Sequence, residues 1–599
     1  MLKKYIFKNG VNIYMAYNNK TSDEIIISIH SNDPEAFYAK IPYDKLPKIH
    51  RVGGNWMQSG KEWRFPLDDE IWNKFQNEFK EEFNNNLVKK DLSFIIAFEK
   101  RRSSLKKFNE FKEIAMKDEP VDFAVDGISL NGKNCLFNYQ RWGIKCGLQV
   151  GDGFLIGDVP GLGKTIQAMG IAKERMNRGE IKNCLIVCPA SLKYNWADEC
   201  KKFMGIEALV IGHKCKNKEE REKHWIAEGY PFKIVNYELV ARDLYAEPKK
   251  QDNRISCANA VLKSFDLVAF DEIQYLKHHS STRTKACRAL QAKYRIGLTG
   301  TPLDGRLEEI HSIFQILKPG LFVSKQKFME RYAEYDYFGA VKGYHHIKEV
   351  SDKISPYYLR RKKEEVLKDL PPKLFKDMHV ELSAKNMKAY KDLVKKKNGI
   401  TENASAAELL IRARQFLDFP EILGIHNSSD KYAVFKELID DLVKENGQKV
   451  VVFSQYTNTI HWLVKNLEEE YKGIQVIDGS IKSEERQEIC KRFNNDPNYN
   501  ILIMSDAGAE GLNLQSGSAV IHYTDSFSPA KQQQRNDRCH RATTKHSVTI
   551  YRFITDGTIE EHVRGILARK MAVNNALLGE DCDEFAVAGM SALELLSCL

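Results

Sequence analysis

Short apolar runs recur along this chain, each set between stretches with helical, charged patterning. In the first half they are CLIVCPA (184–190), FKIVNYE (232–238), FDLVAFDE (265–272) and YRIGLTGTP (294–302). In the second half they are KVVVFSQY (449–456), IQVIDGS (474–480), NILIMSDAG (500–508), AVIHYTD (519–525) and SVTIYRFIT (547–555). A strand that is apolar at every position must be covered on both faces, and strands alternating with helices connect as parallel neighbours. At 599 residues the chain is too long for one core. It is predicted to form two parallel α/β units, at 126–320 and 441–575, separated by a charged helical insert and linker at 321–440.

Residues 1–125 read differently. KKYIFKNGVNIYMAY places two strand-like runs around Asn9-Gly10, a hairpin signal. EIIISIHS and KEWRFPL are further strands, and from about 77 to 118 the text turns helical and basic. The expectation is a small α+β module followed by a basic helical segment. The tail, 576–599, turns from acidic to apolar and is read as a helix closing on the second α/β unit, the alternative being a docking helix.

Composition excludes several classes. No apolar run approaches the roughly 18 residues that a bilayer span needs, and Lys8 and Asn9 interrupt any signal-like segment at the start. The 12 cysteines are scattered with no C-x-x-C pair, which suits a reducing compartment and argues against a disulfide framework or a cysteine zinc site. The expected location is intracellular, in the cytoplasm, nucleoid or nucleus, without a membrane partner. The net charge of +10 permits a polyanionic partner without demanding one.

In open parallel sheets ligands bind beyond the carboxyl ends of the strands, and the glycine-rich segments fall there. IGDVPGLGKTIQA (156–168) resembles G-x-x-x-x-G-K-[ST], with Asp158 in place of the first glycine. Gly161 and Gly163 let the backbone approach a phosphate, Lys164 neutralises β/γ-phosphates, and the Thr165 hydroxyl holds Mg²⁺. The ligand expected is therefore a nucleotide phosphate with Mg²⁺. About a hundred residues on, an apolar strand delivers Asp271 to the magnesium shell and Glu272 to the attacking water. In QQQRNDRCHRATTK, Gln534, Arg538 and Arg541 fall at i, i+4, i+7 and share one helix face, with arginines suited to developing γ-phosphate charge. SDAGAEGLNL adds a second glycine-rich loop, so the site is split between the two units.

Together these motifs resemble the superfamily-two helicase-like ATPases, and within them the Swi/Snf-related DNA translocases. That family's phosphate loop commonly reads D-E-M-G-L-G-K-T, so Asp158 is the family's own form, while Val159 and Pro160 depart from it. LFNYQRWGI resembles the family's L-R-P-Y-Q-x-x-G element and implies that Gln140 lies near the adenine. VCPASLKYNWADE, IVNYELV and GLTGTPLDGRLEEI match in order, with Gly305 where the family usually has asparagine. YYLRRKKEEVLKDLPPK (357–373) is the most subfamily-specific stretch. The family's histidine after Asp-Glu is Gln274 here, and its I-G-Q after the arginines is Ala542-Thr543-Thr544. The resemblance implies two RecA-like lobes with ATP between them, completed by Arg538 and Arg541 on closure. It implies double-stranded DNA as partner, with contacts from Ser191, Thr299, Gly300, Thr301, Ser454, Gln455 and Ser505, and a helical insert that grips the duplex. A chromatin- or polymerase-displacing motor, or a DNA-binding scaffold with a decayed ATPase, are the competing readings.

RVGGNWMQSGKEWRFPLDD resembles the HARP (HepA-related protein) module of annealing helicases, which act on forks and junctions. On that resemblance Trp56, Trp63 and Phe65 are an aromatic platform for DNA; the alternative is that they are the core of a small β-hairpin.

Overall fold

The computed structural model describes the chain except residues 1, 7–11, 17–23, 31–32, 53, 58–60, 67–68, 117–118, 131–134, 151–152, 246–253, 301–304, 338, 340, 369, 396–402, 507–511, 542–543, 545, 578–584 and 588–599. Met1–Lys107 and Phe108–Leu599 are two compact units.

The first unit contains a five-stranded sheet in the order Asn55–Met57, Glu62–Pro66, Asp33–Lys40, Ile25–His30, Val88–Lys90. Its pairs are antiparallel except the last. Leu2–Ile6 and Asn12–Ala16 pair antiparallel as predicted, although Asn9 and Gly10 lie outside the described residues. The core is aromatic: Phe37 stacks on Phe65 at 5.0 Å and meets Trp72 edge-on at 5.5 Å. Phe65 is fully buried and Trp63 nearly so, both in this core. A ring that fills a core offers no face to a base, so the platform reading fails for these two residues. The Trp56 side chain lies outside the described residues. The helix Leu92–Ala115 lies wholly inside the expected module of residues 1–125, yet its Phe108 and Ala115 belong to the core of the second unit.

The second unit holds two parallel sheets. The first lobe has seven strands in the order Leu209–Val210, Phe232–Asn236, Cys184–Cys188, Leu267–Asp271, Tyr294–Leu298, Phe154–Ile156, Tyr358–Leu359. The second lobe has six: Lys373–Val380, Val548–Thr555, Ala519–His522, Val450–Phe453, Ile501–Met504, Gln475–Ile477. Every pairing in both sheets is parallel. The central strands are buried at every position, for example Cys184–Cys188, Leu267–Asp271 and Val450–Phe453. Each buried aliphatic side chain there contributes about 1.5–3 kcal/mol, which is why these runs are apolar throughout.

The region 321–440 is not a separate helical insert. Tyr358–Leu359 pairs with Phe154–Ile156 and closes the first sheet, and Lys373–Val380 pairs with Val548–Thr555 and opens the second. The helix Asn403–Asp418 is planted in the second lobe. Its buried Asp418 accepts from the Thr459 and Thr524 hydroxyls at 2.9 and 2.7 Å and pairs with Lys431. Its buried Arg414 donates to Gln455 Oε1 at 2.8 Å and to the Asp525 carbonyl.

The end of the chain also departs from expectation. The helix Ile559–Leu577 begins against the second lobe with Ile559, Val563 and Ile566. It ends in the core of the first lobe with Val573, Ala576 and Leu577. Beyond it Phe585–Val587 pairs antiparallel with Val341–His345. The described part of the tail thus returns to the first lobe's side, because the apolar face of one helix is shared between two cores.

Candidate active site

The strand Phe154–Ile156 leads into a loop and then the helix Lys164–Asn177, the strand–loop–helix order that aims backbone N–H groups at an anion. Gly161 and Gly163 have φ of +93° and +71°, a left-handed conformation that only glycine adopts at little cost. A Cβ on Gly163 would lie 2.5 Å from Gln140 Nε2. The Gln140 amide accepts from the Phe137 N–H and donates to the Leu162 carbonyl, so it braces the loop directly.

Asp158 is fully buried and acts inward. Arg361 reaches its Oδ1 from both its backbone N–H and Nε at 3.0 Å, and its Oδ2 from Nη2 at 2.5 Å. Gln167 Nε2 donates to the same Oδ2 at 2.9 Å. With both oxygens occupied, Asp158 is a clamp for the loop rather than a nucleotide ligand, a correction to the expected ATP contact. Gly143 lies inside a helix, where glycine costs roughly 1 kcal/mol relative to alanine. A Cβ there would fall 2.0 Å from Gln167 Oε1 and 2.9 Å from Arg361 Nη2, so the glycine makes room for this cluster.

Lys164 donates to the Asp158 carbonyl at 2.9 Å. Burial pulls its ammonium below the ordinary lysine range, while Glu272, Asp158 and Asp271 pull the other way. Asp271 ends its strand with Oδ2 taking the Trp196 indole N–H at 2.8 Å and Oδ1 taking the Glu272 N–H at 3.0 Å. Burial, reinforced by the Glu272 carboxylate, pushes Asp271 up to about 7. Glu272 has φ of +50°, an uncommon conformation for a non-glycine residue that costs of order 1 kcal/mol and is held by its surroundings. Gln274 Nε2 donates to Glu272 Oε2 at 2.5 Å, and its Oε1 is buried with no hydrogen bond among the described residues. The residue that stands where the family has histidine therefore holds the second carboxylate.

The second lobe meets this loop. The helix Pro529–Cys539 carries Gln534 and Arg538, but it ends before Arg541. Arg541 reaches the site from the following turn, fixed by its N–H to Thr544 Oγ1 at 2.9 Å and by Nη2 to the Leu512 carbonyl at 2.6 Å. The single helix face expected for Gln534, Arg538 and Arg541 thus holds only for the first two. A Cβ on Gly161 would lie 3.7 Å from Arg541 Cα. Burial and the neighbouring Arg538 lower Arg541 to about 10. Its Nε is buried and makes no hydrogen bond among the described residues.

Sequence reasoning missed the segment that joins the lobes at this point. Two residues after the clamp at Arg361, Lys363 Nζ donates to Asp537 Oδ1 at 2.6 Å and to the His540 carbonyl. Lys373 Nζ reaches the same Asp537 oxygen at 2.7 Å. One short strap therefore grips the phosphate loop with Arg361 and the arginine helix with Lys363. The only sequence signal was a run of cations inside the subfamily stretch.

The expected DNA contacts separate into two groups. Gln455 is exposed and held by Arg414, and Ser191 is half-buried in the turn before the helix Lys193–Met204. Thr299, Ser454 and Ser505 are buried; Ser454 meets the Thr524 hydroxyl at 3.1 Å. Gly300 lies against the phosphate loop, where a Cβ would be 2.7 Å from Pro160 Cδ. These four residues support strand ends in this conformation and present no surface to a duplex. Thr301, and residues 507–511 of the second glycine loop, lie outside the described residues.

Gly305 has its own physical reason. It has φ of +83°, and a Cβ would lie 2.6 Å from Lys570 Cγ and 3.1 Å from Lys570 Cα in the helix Ile559–Leu577. The family's asparagine does not fit under this helix. Gly305→Asn is expected to destabilise the protein by about 1–3 kcal/mol through overpacking. Its denaturation midpoint should fall; an unchanged midpoint would mean that the helix does not rest on this loop.

The residues present suit a magnesium nucleotide: glycine-lined backbone, a half-buried lysine, a threonine hydroxyl and two adjacent carboxylates from one lobe, faced by an arginine of the other. Two parallel sheets joined in this way define a two-lobed, helicase-like ATPase core. The SNF2-related domain matches residues 67–426, and the helicase conserved C-terminal domain matches residues 430–543. The chain belongs to the SNF2-related family. An uncharacterized ATP-dependent helicase of Mycoplasma pneumoniae is 30% identical over 466 residues, covering 75% of this chain and 43% of that protein. The putative ATP-dependent helicase/translocase YwqA of Bacillus subtilis is 27% identical over 476 residues, covering 75% and 50%. The chain thus spans half or less of the length of these relatives. The SWI2/SNF2 ATPase core of Sulfolobus solfataricus in complex with double-stranded DNA is 26% identical and covers 76% of this chain and 95% of that one, with a TM-score of 0.36.

Proposed function

We propose that this chain hydrolyses ATP to translocate on double-stranded DNA, and that it remodels forked or junction DNA. The observation that carries the motor reading is the approach of Arg541 to Gly161, with Lys164, Asp271 and Glu272 on the same side of the first lobe. Lys164 and the loop N–H groups bind the β/γ-phosphates. Thr165 and Asp271 are the residues that would hold Mg²⁺, which supplies charge neutralisation on the phosphates. Glu272, held by Gln274, orients the attacking water. Arg538 and Arg541 meet the charge that develops on the γ-phosphate, so turnover depends on lobe closure. Repeated closure moves the lobes along a duplex through phosphate contacts, with little sequence preference.

The relatives' names support the motor and leave its load open: they include a chromodomain-helicase-DNA-binding protein 3 homolog of Caenorhabditis elegans and the human TATA-binding protein-associated factor 172. No helix among the described residues is long and apolar enough to cross a membrane. The fork reading rests on the resemblance of the first unit to the HARP module. Deletion of residues 1–107 is expected to reduce fork-stimulated ATPase several-fold more than linear-duplex ATPase. Equal loss on both substrates would assign the unit a purely structural role.

A further inference from the structure

Stability does not call for the ion pair between Lys363 and Asp537. Their side chains are 1% and 0% exposed, and a buried pair of this kind is often matched in stability by apolar residues of similar volume. What the pair does is fix a geometry. The strap that carries Lys363 is bonded to the phosphate loop along its backbone: the Gly157 N–H donates to the Leu359 carbonyl at 2.7 Å and the Val159 N–H to the Arg361 carbonyl at 3.2 Å. The Arg361 side chain adds its clamp on Asp158. Two residues on, Lys363 Nζ holds Asp537 Oδ1 and the His540 carbonyl. The His540 ring meets the Pro371 carbonyl of the same strap at 2.7 Å. Asp537 directly precedes Arg538, and His540 directly precedes Arg541.

Lys363 also stands at the loop itself. A Cβ on Gly161 would lie 3.3 Å from Lys363 Cε and 3.5 Å from its Nζ, against 3.7 Å from Arg541 Cα. The side chain thus lies between the loop and the turn that brings Arg541 to it. Lys373 reaches the same Asp537 oxygen, but from the first residue of the strand Lys373–Val380, so that bond ties the second lobe to itself. Of the two lysines on Asp537, Lys363 is the one whose segment is bonded to the loop. Misplacing by about 1 Å a group that must meet charge in the transition state costs on the order of a hundredfold in rate. A tie between the loop and the arginine turn therefore acts on turnover more than on stability.

We propose that Lys363 is the positioning residue of the arginine pair: through Asp537 and the His540 carbonyl it registers Arg538 and Arg541 against the phosphate loop. The proposal rests on the reading of those arginines given above. The test measures ATP turnover by the full chain with saturating linear duplex, for wild type, Lys363→Met, Lys363→Arg, Arg541→Ala and the Lys363→Met/Arg541→Ala double variant. Lys363→Met is expected to lower kcat by about thirtyfold and to leave the KM for ATP within about threefold, because the loop and Lys164 still bind the nucleotide. Its thermal transition should stay within about 3 °C of wild type, since Lys373 keeps Asp537 paired. Lys363→Arg, which retains the charge and the donors, should recover part of the lost turnover. In the Arg541→Ala background Lys363→Met should cost no more than about threefold, because little is left for it to position. Undiminished turnover by Lys363→Met, the same thirtyfold loss in the Arg541→Ala background, or a loss that tracks unfolding overturns the proposal. Full turnover by Arg541→Ala would overturn the arginine reading and the proposal with it. A crippled Arg541→Ala beside an unaffected Lys363→Met would overturn the proposal alone.

Discussion

Lys164→Ala and Glu272→Gln are each expected to lower ATP turnover by about 10³-fold or more, and to leave duplex affinity within about threefold of wild type. A 10³-fold loss corresponds to about 4 kcal/mol of transition-state stabilisation. Lys164 is half-buried beside Glu272, Asp158 and Asp271, so its charge is partly shielded from water. Glu272→Gln keeps the shape of the side chain and its position beside Gln274, and removes only the carboxylate. On the proposed reading the duplex is held outside the nucleotide site, so binding should persist when hydrolysis stops. Turnover within about tenfold of wild type in either variant would remove these residues from the active site.

The second large effect is structural. Arg361→Ala is expected to destabilise the first lobe by about 3–5 kcal/mol, because it strands the buried Asp158 carboxylate. Asp158 would keep only Gln167 among its side-chain partners, and the Tyr139 carbonyl would lose its donor. For a lobe of this size the first calorimetric transition should fall by about 10 °C. Asp158→Asn in the Arg361→Ala background should recover part of the loss by removing the stranded charge. A transition unchanged by Arg361→Ala would mean that the pair is not buried in the folded protein.

What could be read from the sequence was local. The strand Cys184–Cys188 and its equivalents announce themselves because burial on both faces demands unbroken apolar text, and the Gly161–Thr165 loop carries its chemistry in consecutive residues. Asp271 and Glu272 follow a buried strand directly. What could not be read depends on partners far along the chain. Tyr358–Leu359 is only two residues long and acquires its strand character from Phe154–Ile156, about two hundred positions away. Lys373–Val380 mixes Lys373, Lys376, Asp377 and His379 with its apolar residues and is largely exposed at a sheet edge, so it lacks the buried-strand pattern. Arg361 looks like one more surface cation in RRKK until Asp158, Gln167 and the space above Gly143 are brought to it. The arginine face was misread at Arg541 because spacing alone does not reveal that the helix ends at Cys539. Trp63 and Phe65 were legible as aromatic, but only their burial separates core from platform.

The central claim is that nucleic acid drives this ATPase through its two lobes. Steady-state ATP hydrolysis by the purified chain should be measured without nucleic acid and with single-stranded DNA, linear duplex, forked DNA and RNA. Stimulation by duplex DNA above single strands and RNA, highest with the fork, is the predicted result. Stimulation by none of them, or greater stimulation by RNA than by DNA, would contradict the account.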